Sequence, residues 1–148
     1  MKVQEVMTHD VRVVNAEETI QEAARIMAEI DAGVLPVGKE GKLVGMLTDR
    51  DIAIRAVAEG KGPDTKASDI MSREVKYCFD DEDVEDVCGN LGDQQIRRIP
   101  VLDRNKQLVG ILSLGDVAVE TDGNGVGEAL AAISRPGGTH SQSGVQPN

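Results

Sequence analysis

Aromatic side chains are almost missing from this 148-residue chain, which has one Tyr, one Phe and no Trp. A core must therefore be assembled from Val, Ile, Leu, Ala and Met. Cysteine is scarce too: Cys78 and Cys88 alone make neither a disulfide framework nor a four-ligand zinc site. Apolar runs are short, Met46-Leu47 being typical, and none approaches the roughly 20 residues of a membrane span. The start, Met1-Lys2-Val3-Gln4-Glu5, lacks the apolar stretch of a signal peptide. Positive charge is in deficit, with 16 Lys and Arg against 26 acidic residues and a net charge of -10. Such a chain repels phosphate backbones, which disfavours nucleic-acid binding. These absences predict a cytoplasmic protein with no membrane partner.

What is present suffices for a domain. Apolar residues make up 40% of the chain, and a chain this long buries about two thirds of its unfolded surface. The strongest feature is internal repetition. Val6-Met7-Thr8 returns as Ile70-Met71-Ser72, and Leu35-Pro36-Val37 as Ile99-Pro100-Val101, both 64 positions on. Leu43-Val44-Gly45 returns as Leu108-Val109-Gly110 at 65, so the second copy carries one extra residue, which a hairpin loop tolerates. Asp51 and Asp116 close the two copies.

Each copy reads as strand, helix, strand, strand, helix. Val11 to Val14 is predicted as a short strand. Asn15, three before Glu18, resembles a capping box, and Ile20, Ala23, Ala24, Met27 and Ile30 recur at helical spacing. Val84, Val87, Cys88 and Leu91 repeat that face, although Gly89 and Gly92 weaken the second helix. An apolar pair of strands follows, joined by a polar turn at Gly38 to Gly41 or Asp103 to Asn105. The closing helix is predicted from about Asp49 to Glu59, ending at Gly60, with Lys61 to Thr65 as linker. The expected division is repeat one over 1–62, repeat two over 63–122, a last helix over 123–134 and a disordered Gly/Ser/Gln/Pro tail over 135–148.

Ile/Val-Met, then Leu/Ile-Pro-Val, then Gly-x-x-Thr/Ser-x-x-Asp, present twice in order, resembles a cystathionine-β-synthase (CBS) domain pair over residues 1 to about 120. The resemblance implies an α/β (mixed α+β) fold of two tandem βαββα repeats packed as a pseudo-twofold pair. It also implies a homodimer, and sensing of adenosine-containing ligands in the cleft between the repeats.

The residues support that expectation on their own chemistry. In Gly45-Met46-Leu47-Thr48-Asp49-Arg50-Asp51 a strand delivers Thr48 to a helix start, where free N–H groups favour phosphate. Asp51 can accept from both hydroxyls of a ribose, each bond to a charged acceptor contributing roughly 1.5–3 kcal/mol. Ser113 and Asp116 repeat the spacing. The same pattern describes an N-cap hydroxyl with a first-turn acid; two copies in matching frames favour the ligand role. Arg97-Arg98 replace Gly33-Val34 of the first copy, so unequal sites are expected. By the resemblance, Arg97 and Arg98 meet ligand phosphates, for which the guanidinium fork is suited. Arg50 and Arg55 are further candidates, though helix-surface arginines commonly face water. Adenine walls would come from Val11, Val34, Leu35 and Pro36, or from Val75, Tyr77, Ile99 and Pro100.

Other patterns fail on chemistry. Gly33 to Lys39 has P-loop spacing, but Glu40 stands where the magnesium-holding Ser/Thr belongs. Asp49 and Asp51 have no accompanying base or nucleophile. His9 and His140 are placed on the surface, and Cys78 and Cys88 in the interior. Asp80 to Asp83, with Glu85 and Asp86, reads as an acidic helix start without the pattern of a calcium loop.

The expectation is a non-catalytic sensor, with no metal, that binds AMP, ADP or ATP and signals by conformational change to an effector protein that the sequence leaves unknown. A ligand-free dimerisation module, a binder of NAD or S-adenosylmethionine, and a nucleotide hydrolase are the alternatives.

Overall fold

A computed structural model describes residues 1–93, 96–121 and 125–134. The expected tail from 135, with His140, lies outside the described residues, as do residues 123–124 of the expected last helix.

The chain forms two compact units. One comprises residues 12–76. In it strand β1 (Val14–Asn15) pairs in parallel with β2 (Val34–Lys39), which pairs antiparallel with β3 (Lys42–Thr48). Helix α1 (Ile20–Ile30) connects β1 to β2, and α2 (Asp49–Asp51) continues as a π-helical stretch, Ile52–Val57. A single turn, α3 (Ala67–Ile70), completes the unit. The other unit comprises residues 1–11 and those from 77 on. Its sheet is β4 (Cys78–Phe79), β5 (Arg98–Leu102) and β6 (Leu108–Ser113) in the same order and sense. Its helices are α4 (Val84–Asp93), α5 (Leu114–Glu120) and α6 (Val126–Ile133), and a 3-10 turn spans Val3–Glu5. The fold is mixed α/β with two βαββα repeats, as the sequence predicts.

The units are composed differently from the consecutive repeats, because leading segments are exchanged. Thr8 trades two backbone hydrogen bonds with Ile111 (2.9 and 3.0 Å), and Met7 covers Gly110. Ser72 trades two with Met46 (2.8 and 3.0 Å), and Met71 covers Gly45. Each repeat's first residues thus complete the other repeat's sheet. Leu35, Val37 and Leu47 form the sheet side of one core with Ile20, Ala23 and Met27 from α1. Val101 and Leu112 meet Val3, Val87, Leu91 and Val117 in the other.

Several local expectations need correction. The strand foreseen over Val11 to Val14 shrinks to Val14–Asn15, because only these residues pair with β2. Asn15 does not cap α1; its Oδ1 accepts from the Glu17 N–H (2.9 Å) to make the turn after β1. Thr19 caps the helix, its Oγ1 accepting from the Glu22 N–H (3.1 Å). Ile26 is buried in place of Ala24 and Ile30. At 100° per residue Ile26 flanks the stripe through Ile20, Ala23 and Met27 on the Ala23 side and Ala24 flanks it on the Ile20 side, so the buried face is turned towards Ala23. The first closing helix ends at Val57, two residues early, with Ala58 N–H donating five residues back to Ala53 O (2.9 Å). Of the acids foreseen at the start of α4, Glu85 and Asp86 lie in its first turn, whereas Asp80 to Asp83 precede it, Glu82 Oε2 turning back to accept from the Phe79 N–H (2.6 Å).

Both hairpins form. Glu40 and Gly41 both adopt positive φ (52° and 77°), the pairing that matches strand twist in a two-residue turn. The second hairpin is longer, and there Asp103 Oδ1 accepts from the Asn105 and Gln107 N–H groups (both 2.9 Å). The extra residue of the second copy is absorbed in this loop.

Candidate functional site

The two Thr/Ser-x-x-Asp motifs sit at equivalent strand-to-helix junctions, one in each unit. Thr48 Oγ1 accepts from the Asp51 N–H (3.0 Å), and Asp51 Oδ2 accepts from the Thr48 N–H (3.0 Å). Ser113 and Asp116 make the same reciprocal pair at 3.0 and 3.1 Å. Both motifs are therefore closed capping boxes, in which hydroxyl and carboxylate satisfy the first donors of the helix. What each retains for a ligand is a hydroxyl proton and a second carboxylate oxygen. Asp51 Oδ1 lies 3.8 Å from Arg55 Nε, and the Asp51 side chain is 17% exposed. The second oxygen of Asp116 makes no hydrogen bond among the described residues.

The copies differ beside these boxes. Asp49 N–H donates to Gly33 O (2.9 Å), and Asp49 Oδ2 lies 2.8 Å from where a Cβ on residue 33 would stand. A side chain at residue 33 would displace this exposed carboxylate. At the matching place Leu114 N–H donates to Arg97 O (3.0 Å), and the Leu114 side chain is buried. The second copy thus has leucine where the first has an acid, and arginine where the first has glycine. Arg50, Arg97 and Arg98 are exposed and make no ion pair among the described residues. Arg55 is engaged, as described below.

The expected adenine walls draw on residues of both units. Val34, Leu35, Pro36 and Val75 belong to one unit, and Val11, Tyr77, Ile99 and Pro100 to the other. Leu35, Pro36, Ile99 and Pro100 are buried. Val11, Val34 and Val75 are half-buried, and Tyr77 is 41% exposed.

One cluster had no sequence signal. Arg104, in the second hairpin loop, forks onto Asp81 (2.7 and 2.8 Å) while its guanidinium carbon lies 4.1 Å above the Phe79 ring. Tyr77 meets Phe79 edge to face at 5.6 Å. The hydrogen bonds from Arg104 hold the Asp81 carboxyl below its usual range. Asp81 and Arg104 are too far apart in sequence for helical or strand spacing to link them.

The remaining groups are chemically quiet. Burial, then the nearby Glu82 and Asp80 charges, pushes the Cys78 thiol up to about 12. Burial also raises the Cys88 thiol, which donates to Gly125 O (3.5 Å). His9 is exposed in a loop. The P-loop-like Gly33 to Lys39 stretch is largely β2, whose backbone groups are spent on the sheet. Among the described residues no cluster of His, Cys, Asp or Glu is placed to hold a metal ion, and no helix is long and apolar enough to cross a membrane.

Duplicated βαββα repeats, exchanged leading segments and a capping-box junction in each repeat define a tandem-repeat module. The chain belongs to the CBS-domain family, whose model matches residues 3–57 and 67–121. It is 44% identical over 133 residues to the CBS domain-containing protein YhcV of Bacillus subtilis, covering 89% of this chain and 94% of that one. It is 34% identical over 134 residues to hypoxic response protein 1 of Mycobacterium tuberculosis, covering 89% and 93%. A crystal structure of Hypoxic Response Protein I with two coordinated zinc ions superposes with a TM-score of 0.74 at 33% identity, over 82% of this chain and 99% of that one. The CBS domain pair of protein MJ0100, in complex with 5'-methylthioadenosine and S-adenosyl-L-methionine, gives 0.73 at 30% identity, over 84% and 98%.

Proposed function

We propose that this chain is a non-catalytic regulatory module that binds an adenine nucleotide, AMP, ADP or ATP, and passes its occupancy to an effector protein by conformational change. The observation that carries this reading is the doubled junction: Thr48 with Asp51 and Ser113 with Asp116, each joining a hydroxyl to a carboxylate with an oxygen to spare. Ribose hydroxyls would be accepted by Asp51 and Asp116. The Thr48 and Ser113 hydroxyls would donate to phosphate oxygens, with Arg50, Arg97 and Arg98 supplying positive charge. Adenine would lie against Val11, Val34, Leu35 and Pro36, or against Val75, Tyr77, Ile99 and Pro100. Of these, Val11, Val34, Val75 and Tyr77 offer accessible surface. The adenosyl ligands of the MJ0100 pair support an adenosine ligand, and the arginines favour a phosphorylated one over S-adenosylmethionine, which carries a sulfonium charge. A homodimer working in the cytoplasm, where such nucleotides are abundant, completes the reading.

A second reading is favoured by one observation. Both carboxylates already satisfy helix donors, so the motifs are explained without a ligand, as in a pure interaction module. A thermal-shift screen with AMP, ADP, ATP, NAD and S-adenosylmethionine separates the two. A nucleotide at about 100 times its Kd stabilises the fold by roughly 2.7 kcal/mol, a rise of several degrees. Asp51→Asn and Asp116→Asn keep an oxygen for the capping box yet remove the charge, and each should diminish the rise. No shift with any ligand, from folded and ligand-free protein, would establish the interaction module instead. Release of phosphate from ATP by the purified chain would overturn the non-catalytic assignment.

A further inference from the structure

Arg55 follows Asp51 by one helical turn and does two things there. Its Nε faces Asp51 Oδ1 at 3.8 Å, the carboxylate oxygen that the capping box leaves over. Its Nη1 donates to Ile70 O and Met71 O, both at 3.4 Å. Those carbonyls end α3, where no intrahelical donor is available and a positive charge complements the helix dipole. The segment is otherwise held firmly. The Met71 side chain is buried against Gly45 so closely that a Cβ there would stand 2.5 Å from its Sδ. Ser72 exchanges two hydrogen bonds with Met46. Five residues later the chain enters the other unit at Tyr77. In the second repeat the residue one turn after Asp116 is Glu120, an acid that has nothing to donate.

We propose that Arg55 is a positioning residue that couples the Asp51 carboxylate to the Ile70–Met71 backbone, so that a ligand hydroxyl donating to Asp51 Oδ1 changes how the segment leading into the other unit is held. This rests on the reading of Asp51 as a ribose acceptor. A ligand at Oδ1 competes with Arg55 for the same oxygen, and Arg55 then redistributes between carboxylate and carbonyls. Only the first repeat carries the device, so its occupancy and that of the second repeat are transmitted differently.

Amide hydrogen exchange on the full chain tests it, with wild type, Arg55→Ala, Arg55→Lys and Glu120→Ala, each free and with saturating ATP. Without ligand, Arg55→Ala should speed exchange at Met71 and Ser72 by roughly threefold to tenfold, the equivalent of one net hydrogen bond. With ATP, exchange at these amides should change in wild type and Glu120→Ala but not in Arg55→Ala. Arg55→Lys keeps the charge but has one nitrogen where Arg55 uses Nε for the carboxylate and Nη1 for the carbonyls, so it should show a reduced response, and it decides the matter if the alanine variant fails to fold. An ATP response in both Arg55 variants equal to wild type overturns the coupling while leaving nucleotide binding intact. Wild type that binds neither AMP nor ATP overturns the ribose reading and the coupling together, a distinguishable result.

Discussion

At the residue scale, the Thr48 and Ser113 hydroxyls act first on stability. Each accepts the N–H three residues on, and losing such a cap costs about 1 kcal/mol. Thr48→Ala and Ser113→Ala should each lower the calorimetric Tm by about 2–4 °C, while Thr48→Ser should leave it close to wild type. Cys78 makes a second residue-level case. Its folded thiol titrates near 12 against an ordinary value of 9.0, because burial and acidic neighbours oppose the thiolate. The folded value is the raised one, so the stabilisation is complete below pH 9 and is lost as pH climbs towards 12. Cys78→Ala should flatten the alkaline limb of stability against pH over that window. Native protein at pH 8 should react with a thiol reagent at Cys78 far more slowly than urea-unfolded protein does.

At the element scale, the two glycines of α4 behave oppositely. Gly89 has nothing within 4 Å of a would-be Cβ, so Gly89→Ala should stabilise the helix by about 0.5–1 kcal/mol in urea unfolding. Gly92 is approached by α6, with Ala129 Cα 3.0 Å from that position. Gly92→Ala should lose the propensity gain and destabilise by about 1 kcal/mol. If the two substitutions acted alike, the α4–α6 contact would not be close in solution. The β3 strand offers a parallel test. At Gly45 a Cβ meets Met71 Sδ at 2.5 Å and Ser72 O at 2.8 Å, so Gly45→Ala should cost about 1–3 kcal/mol and loosen the exchanged segment.

On the scale of the whole molecule, charge and exposed apolar surface pull in different directions. A net charge of -10 favours dispersal, yet the closing helices leave Ile54, Val57 and Val119 in water, Val57 at 68% and Val119 at 81% exposure. Such residues support the proposed homodimer. Sedimentation velocity should give twice the 15.8 kDa chain mass for wild type and the single-chain mass for Val57→Glu. A wild type that sediments as a monomer at tens of micromolar would remove the dimer from the proposal.

The sequence by itself determined the duplication, the βαββα order, both hairpins, and the inward faces of α1 and α4 apart from Ile26, Ala24 and Ile30. Periodicity and spacing encode these locally, as alternation of apolar positions and turn residues with positive φ. It also marked Thr48 with Asp51 and Ser113 with Asp116, because a capping box spans only four residues. Tertiary structure decided the rest. That Met7 covers Gly110 and Met71 covers Gly45 depends on segments far apart in the chain. The Arg104–Asp81–Phe79 cluster and the bonds from Arg55 to Ile70 and Met71 do as well. Thr19 rather than Asn15 caps α1 because β1 needs Asn15 for its turn. A repeat announces itself in sequence through local spacing, whereas which copy completes which sheet is settled by long-range hydrogen bonds and packing.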